Sequence, residues 1–433
     1  MRDGDTIVAL SSGALPSGVA VIRLSGPAAG KILAEMFGRL PEPRRLLLTD
    51  IALGGEKLDR GLVAWFPGPN SFTGEDCAEL QVHGSPAGVK AMLARLAARP
   101  DIRLAEAGEF TRRAFENGKL DLTEIEGLGD LLTAETENQR KQALARAEGG
   151  LSRQALAWRE ILIGLRAEIE ARLDFSDEGD VPDALPQSWL VEVQQLAGEL
   201  RTALADLDRG RIVREGARIA LAGPPNAGKS SLLNALARSD VAIVTEEAGT
   251  TRDVREVAID LSGQLALLVD MAGLRETDSK AEAEGVRRAR NEIERADLIL
   301  WLEAPDIAVL PPPSGDVPVW RIATKSDLGG EKTGQRAISA RTGAGMAELV
   351  ENLADFVADL TGRGEPALVS RERDRQCLTE ALEHLQMTGN VLSAPELAAE
   401  QLRAASAALE RLLGRIDAET VLDRLFTAFC IGK

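Results

Sequence analysis

Tyrosine is absent from all 433 residues, and aromatic residues of every kind make up only 3 % of the chain. The cores must therefore come from Leu, Ala, Val and Ile, which suits helices and a buried parallel sheet better than a β-sandwich. Histidine occurs twice, at His83 and His384, which excludes multi-histidine metal sites and most histidine-based triads. The three cysteines, Cys77, Cys377 and Cys430, are too few and too scattered for a disulfide framework or a zinc site. No run reaches the ~18 uninterrupted apolar residues of a membrane span. The start, MRDGDTIVAL, lacks the basic-then-apolar order of a secretion signal. A cytoplasmic protein without a membrane segment is expected. Basic residues are in deficit, 51 against 68 acidic, for a net charge of −17. Phosphate attraction drives most nucleic-acid affinity. Any action on nucleic acid therefore calls for a local patch or a basic partner.

The 44 % apolar content is enough for real cores, and the length suggests two or three domains of ~150 residues each. Residues up to about 118 mix short apolar runs, at 6–10, 18–24, 62–66 and 78–82, with Gly and Pro turns, an α+β texture. From Leu122 the spacing turns helical: Leu122, Ile125, Leu128 and Leu132 share one face, as do Leu162, Leu165, Ile169 and Leu173, then Leu196, Leu200, Leu204 and Leu207. Near Arg211 this stops and strand–loop–helix alternation runs to about Leu360. Helical spacing then returns through Leu378, Leu382, Leu385, Leu402, Leu409 and Leu412. Each helical half looks too short to bury a good core alone. An α/β block inserted into an all-helical block is thus preferred over a linear string. The expected domains are 1–118, 119–212, 213–362 and 363–433.

Inside the α/β block, RIALAGPPNAGKSSLLNALA fits a phosphate-binding loop between a buried strand and a helix. Gly223 and Gly228 let backbone N–H groups turn inward, Lys229 reaches the outer phosphates, and Ser230 offers a hydroxyl to Mg²⁺. Four elements follow in GTPase order. GTTRD offers Thr250 or Thr251 as a switch threonine. LALLVDMAG ends in D-x-x-G, with Asp270 for the metal's water shell and the Gly273 N–H for the γ-phosphate. IATKSD places Lys325 and Asp327 to read a guanine, whose N1 and N2 protons a carboxylate accepts. ISARTGAG supplies backbone at Ser339 and Ala340. Two spellings depart from the usual: Met271 stands where Thr is common, and Thr324 where Asn is. Thr324 reaches less far than Asn, so looser guanine selectivity is an expectation.

DTIVAL, GVAVIRLSG, SFTGEDCAELQVHG, AGEFTRRAFENGKLDLTEIEGLGDLL, AIVTEEAGTTRDV, DMAGLRE and the terminal FCIGK, with the phosphate loop, all match one family. Over nearly its whole length the chain resembles the bacterial and organellar tRNA-modification GTPases MnmE, also called TrmE. The resemblance implies a multidomain α+β protein. An N-terminal α+β domain binds a formylated tetrahydrofolate (5-formyltetrahydrofolate or a related one-carbon folate) and makes a homodimer. A Ras-like α/β P-loop G domain is inserted in an all-α helical domain. It also implies K⁺-dependent GTP hydrolysis in a heterotetramer with the FAD- and NADH-using partner MnmG. The pair adds an aminomethyl or carboxymethylaminomethyl group at C5 of the wobble uridine of tRNA.

Residue by residue, the resemblance places folate contacts at Arg23, Glu79, Lys119 and Lys433. It places GTP contacts at Asn226, Ala227, Gly228, Lys229, Ser230 and Ser231. Further ones fall at Thr245, Glu246, Glu247, Ala248, Gly249, Thr250 and Thr251, and at Asp270, Met271, Ala272 and Gly273. The base side takes Thr324, Lys325, Ser326 and Asp327, with Ser339, Ala340 and Arg341. K⁺ falls to Asn226, Thr245, Glu247 and Thr250, and Mg²⁺ to Ser230 and Thr251. Glu282 is the implied water-positioning carboxylate, though an acidic helix face would look the same. Cys430 makes a poor prenylation box, with Gly432 and Lys433 after it. It is read either as a thiol facing tRNA chemistry or as a packed small apolar residue. The rival readings are a stand-alone regulatory GTPase, for example in ribosome assembly, a P-loop kinase or ATPase, and a pure scaffold.

Overall fold

The computed structural model describes residues 4–174, 185–243, 256–271, 292–308, 310–329, 336–362, 364–416, 421–422, 425–426 and 432. The chain divides into two compact units. One comprises Met1–Gly129, Ser152–Leu156 and Ser406–Lys433, the other Asp130–Leu151 and Ala157–Ala405.

The first unit is built on a six-stranded sheet ordered β3-β4-β5-β2-β1-β6. Its strands are β1 (Thr6–Leu10), β2 (Ser17–Ser25), β3 (Leu47–Leu53), β4 (Glu56–Phe66), β5 (Cys77–Gly84) and β6 (Ile102–Leu104). The four expected strands are present. The two not anticipated, β3 and β6, lie at the sheet's edges, where half-exposed positions blur the apolar signal. Alternation decides the faces. Ile22, Leu24 and Leu80 point into one core with Leu33 of α1 (Ala29–Phe37) and Met92 of α2 (Pro86–Ala97). The residues between them, Arg23 and Glu79, point to the other face. That face also carries Ile7, Ala9 and Phe110, the last from α3 (Glu109–Glu116). In α4 (Leu122–Thr133), Leu122 and Ile125 are buried, but Leu132 is 44 % exposed, so the expected apolar face does not hold to the last turn. Leu122 and Ile125 pack with Leu422 and Phe426.

The second unit contains α5 (Glu137–Ala147), most of α6 (Gly150–Asp174), α7 (Gln187–Ala205), α8 (Leu207–Glu215) and a second six-stranded sheet. Helix α8 runs past the expected stop at Arg211 to Glu215. Ile212 and Val213 keep one side buried, and Gly216, at φ 89°, ends the helix. The sheet order is β12-β11-β10-β7-β9-β8. Its strands are β7 (Ala217–Ala222), β8 (Glu256–Leu261), β9 (Gln264–Asp270), β10 (Leu298–Glu303), β11 (Val319–Ala323) and β12 (Arg336–Ala337). Among the described strands of this sheet, only the β8–β9 pair is antiparallel. Leu232 and Leu236 of α9 (Lys229–Ala237) and Leu353 and Val357 of α10 (Met346–Thr361) fill one face. This is the Ras-like α/β arrangement, inserted between helices. Its entry and exit lie side by side. A Cβ on Gly210 would sit 2.1 Å from the Val369 carbonyl oxygen, so only glycine lets these two backbones meet. The single Gln142 amide donates to Gly210 O at 3.1 Å and Ala367 O at 2.8 Å, tying both crossings together. After the exit, α11 (Glu372–Asn390) packs on α7, and α12 (Pro395–Leu412) follows.

Candidate active site

Strand β7 is buried almost throughout and delivers the loop 223–228 to the N-terminus of α9. The loop's shape explains its residue types. Gly223 has φ 143°, and a Cβ there would meet Leu302 O at 2.5 Å. Gly228 has φ 93°. Asn226, the loop's non-glycine in the left-handed region, has φ 63°, a conformation that Asn tolerates better than most residues. It is exposed, while Ala227 is buried. Lys229 is only 7 % exposed and donates to Gly223 O and Pro224 O, both at 2.9 Å. The ammonium is thus held over the loop that would surround the phosphates. Ser230 Oγ donates to Asp270 Oδ2 at 2.6 Å. That pairing brings the expected Mg²⁺ hydroxyl to the expected water-shell carboxylate. Among the described residues no cluster of three or more His, Cys, Asp or Glu could hold a metal. The donor set fits an ion held mainly by hydroxyl, phosphate and water.

Thr324 braces the loop. It is 5 % exposed, and its hydroxyl lies 2.6 Å from Ala227 O and 3.1 Å from Glu303 O. The bond from the base-reading segment to the phosphate loop is therefore made by a hydroxyl in place of an amide. Met271 is also accounted for. It is 8 % exposed and fills an apolar cluster with Ala220, Ala222, Ala296 and Ile299. Asp327 is oriented from two sides: Ser339 Oγ donates to its Oδ1 at 2.7 Å, and Arg341 pairs with its Oδ2 at 2.9 Å. The Ser339 hydroxyl first, and Arg341 with it, hold the carboxyl below its usual range. Lys325, at φ 54°, pairs with Asp306 at 2.7 Å. Ser326 N–H donates to Ile338 O at 3.1 Å, which links the two base-side segments, and Ala340 follows the fully buried Ser339. Ser231, the third residue of α9, is exposed. Thr245, Glu246, Glu247, Ala248, Gly249, Thr250, Thr251, Ala272, Gly273, Glu282, Cys430 and Lys433 lie outside the described residues.

One prediction arises here. Thr324→Val keeps the shape and removes the hydroxyl, leaving Ala227 O without that donor. GDP affinity should fall by about 1–2 kcal/mol, roughly five- to thirtyfold. Thr324→Asn should restore it. Titration with fluorescent GDP measures both. Equal affinity for wild type and the Val variant would show that the brace contributes nothing to binding.

In the first unit the structure brings Arg23 and Glu79 together. They are cross-strand partners of β2 and β5, joined by two bonds to Glu79 Oε1 at 3.0 and 2.9 Å. The Arg23 guanidinium lies 5.5 Å from the Phe72 ring centre and 5.8 Å from that of Phe110. Lys119 Nζ donates to Pro69 O at 3.0 Å, on the loop that carries Phe72. A carboxylate, a guanidinium and two rings on one face fit a flat, polar-edged heterocycle such as a pterin. His83, at the far end of β5, is exposed and pairs with Asp59 at 2.8 Å.

Sequence reading missed what holds the Phe72 loop. Arg113 is 7 % exposed and contacts Glu75 Oε2 at 3.0 Å, Asp5 Oδ1 at 2.8 Å and Glu109 Oε1 at 3.3 Å. Asn117 donates to Thr73 O at 2.7 Å. The spacing 109, 113, 117 within EFTRRAFENGK places three polar residues on one helical face. That was the available signal.

A P-loop on a Ras-like sheet inserted into helices, with Asp327 held by Ser339 at the expected base side, defines a GTPase-fold protein with an additional N-terminal domain. The family described as the MnmE helical domain matches residues 122–430, and that described as the GTP-binding protein TrmE N-terminus matches residues 6–119. The chain belongs to the MnmE family of tRNA modification GTPases. A protein of that name from Azorhizobium caulinodans is 52 % identical over 437 residues, covering 100 % of both chains. One from Rhizobium meliloti is 51 % identical with the same coverage, and one from a Bradyrhizobium species is 49 % identical, covering 99 % of each. Among solved structures, the G domain of the T. maritima FeoB iron transporter is 23 % identical, covers 34 % of this chain and 99 % of its own, and has a TM-score of 0.24, too low to add to the strand order.

Proposed function

We propose that the protein is a K⁺-dependent GTP hydrolase that acts with an FAD-containing partner of the MnmG kind to modify C5 of the wobble uridine of tRNA. The observation that carries this reading is the intact phosphate and base machinery, Lys229, Ser230–Asp270 and Asp327–Ser339, on a chain related to MnmE over its full length. Lys229 and the N-terminus of α9 bind the outer phosphates. Ser230 and Thr251 hold Mg²⁺. Asp327 selects the base. Asn226, with Thr245, Glu247 and Thr250, takes K⁺, which when bound stabilises charge developing between the phosphates. Glu282 positions the attacking water. Arg23, Glu79, Lys119 and Lys433 bind the one-carbon folate, and Cys430 faces the tRNA chemistry. The protein is read as a cytoplasmic homodimer with domains 1–118, 119–212, 213–362 and 363–433. No described helix is long and apolar enough to cross a membrane.

The test is nucleotide turnover, GTP beside ATP, in K⁺ and then in Na⁺, with and without Asn226→Ala. GTP-selective turnover that needs K⁺ and loses that need in the variant is the expected result. Equal use of ATP, or indifference to the cation, would overturn the reading of the G domain.

A further inference from the structure

Within the second unit, where the inserted sheet meets the helices, lies a cavity of about 240 Å³ that no part of the nucleotide site uses. At about 30 Å³ per water it has room for roughly eight waters or a small organic ion. Asn138, Lys141, Gln142, Arg209, Gln264 and Glu365 supply its polar lining. Gln264 is the informative residue. It is 7 % exposed, and among the described residues its side-chain amide has no hydrogen-bond partner. Its polar atoms remain accessible and present a donor and an acceptor to the cavity.

The electrostatics select the sign of the occupant. Lys141 reaches Glu137 only at 3.6 Å, leaving ammonium donors for the cavity. Arg209 donates to Asp206 Oδ1 at 3.3 Å and to Glu365 O, and a guanidinium has five donors. Asn138 is the second residue of α5, where the helix end adds partial positive charge. Against these, Glu365 is exposed, and Glu137 is already paired with Arg140 at 2.8 Å. Gln142 spends its amide on the two crossings of the insertion.

We propose that this cavity is a binding site for a small anion, a di- or tricarboxylate or a phosphate. Its position gives it a lever on the active site. Gln264 opens β9, and Asp270, the partner of Ser230, closes the same strand. Gly263, in the preceding turn, accepts the Asn138 N–H of α5 at 3.1 Å, and Gln139 reaches Arg214 O at 3.0 Å. An anion bridging Gln264, Lys141 and Arg209 fastens the β8–β9 hairpin to α5 and α8.

The experiment is calorimetric titration of the full-length, GDP-loaded protein, with GDP filling the phosphate loop. Citrate and inorganic phosphate are titrated separately at constant ionic strength set with chloride. Saturable binding of one or both is expected, and whichever binds identifies the source as carboxylate or phosphate. Lys141→Ala and Gln264→Leu should each weaken it about tenfold, the loss of one charged or buried hydrogen bond. The exposed Lys141 keeps the test meaningful if the Gln264 variant fails to fold. Binding of neither ion, or binding unchanged in Lys141→Ala, would overturn the proposal.

Discussion

Asp327→Asn should lower GTP affinity by about two to four orders of magnitude and raise affinity for xanthosine triphosphate, with the fold unchanged. A carboxylate accepts both the N1 and N2 protons of guanine in charge-assisted bonds of about 1.5–3 kcal/mol each. Asn keeps the shape but turns one acceptor into a donor, which suits the 2-oxo group of xanthine. Two features make the effect large here. Ser339 fixes Oδ1 at 2.7 Å, so the carboxylate is oriented before the base arrives. The base-side segment is also tied through Thr324 to Ala227 of the phosphate loop. The Arg341 contact must yield Oδ2 to the base. Its side chain is 77 % exposed, and an exposed ion pair costs only about 0–1 kcal/mol to break. Competition of GTP, xanthosine triphosphate and ATP against fluorescent GDP measures the switch. Undiminished GTP affinity in the variant would place base selection elsewhere.

Arg146→Ala should destabilise the helical part of the second unit by about 3–5 kcal/mol, the usual cost of stranding one member of a buried ion pair. Arg146 and Asp374 are both fully buried and 2.7 Å apart. Arg146 also donates to Leu368 O and lies 3.3 Å from Ser370 Oγ, while Asp374 accepts the Ser370 and Arg371 N–H groups at 3.1 Å each. The pair thus fastens the segment leaving the G domain to α5. Replacing both residues together with apolar ones of similar volume should cost much less, because no charge is stranded. Burial opposes ionisation of Asp374, yet Arg146 and the N–H groups hold its carboxyl below the usual range. With the folded value depressed, its stabilisation is fully present above the unfolded value of about 3.9 and is lost as pH falls through the folded one. Urea unfolding followed by the fluorescence of Trp158 and Trp189, both buried in this unit, reads the effect. An Arg146→Ala midpoint equal to wild type would show that the pair does not stabilise the joint.

The Thr324 result bears on how far a departure from a motif alters a site. From the sequence, Thr324 led to an expectation of looser guanine selectivity, because Thr reaches less far than Asn. In the structure its hydroxyl makes the bracing bond, because Ala227 O and Glu303 O both lie within its short reach. Met271 is simpler: the apolar cluster around Ala220 accepts its thioether chain.

The sequence by itself determined the phosphate loop, the order of the nucleotide-reading segments and the insertion in the helical block. Each rests on local chemistry: glycines where φ is positive, apolar runs of strand length, and periodicity near 3.6. It also named Arg23 and Glu79. Only the tertiary structure decided that they are partners, that Arg113 and Asn117 hold the Phe72 loop, and that Gln142 ties the two crossings of the insertion. Those contacts join residues 38 to 225 positions apart, and their partners are backbone carbonyls or single side chains. A carbonyl looks the same in every residue, so no composition or spacing reveals which one a distant amide will meet. That is fixed only when packing of the apolar faces sets the register.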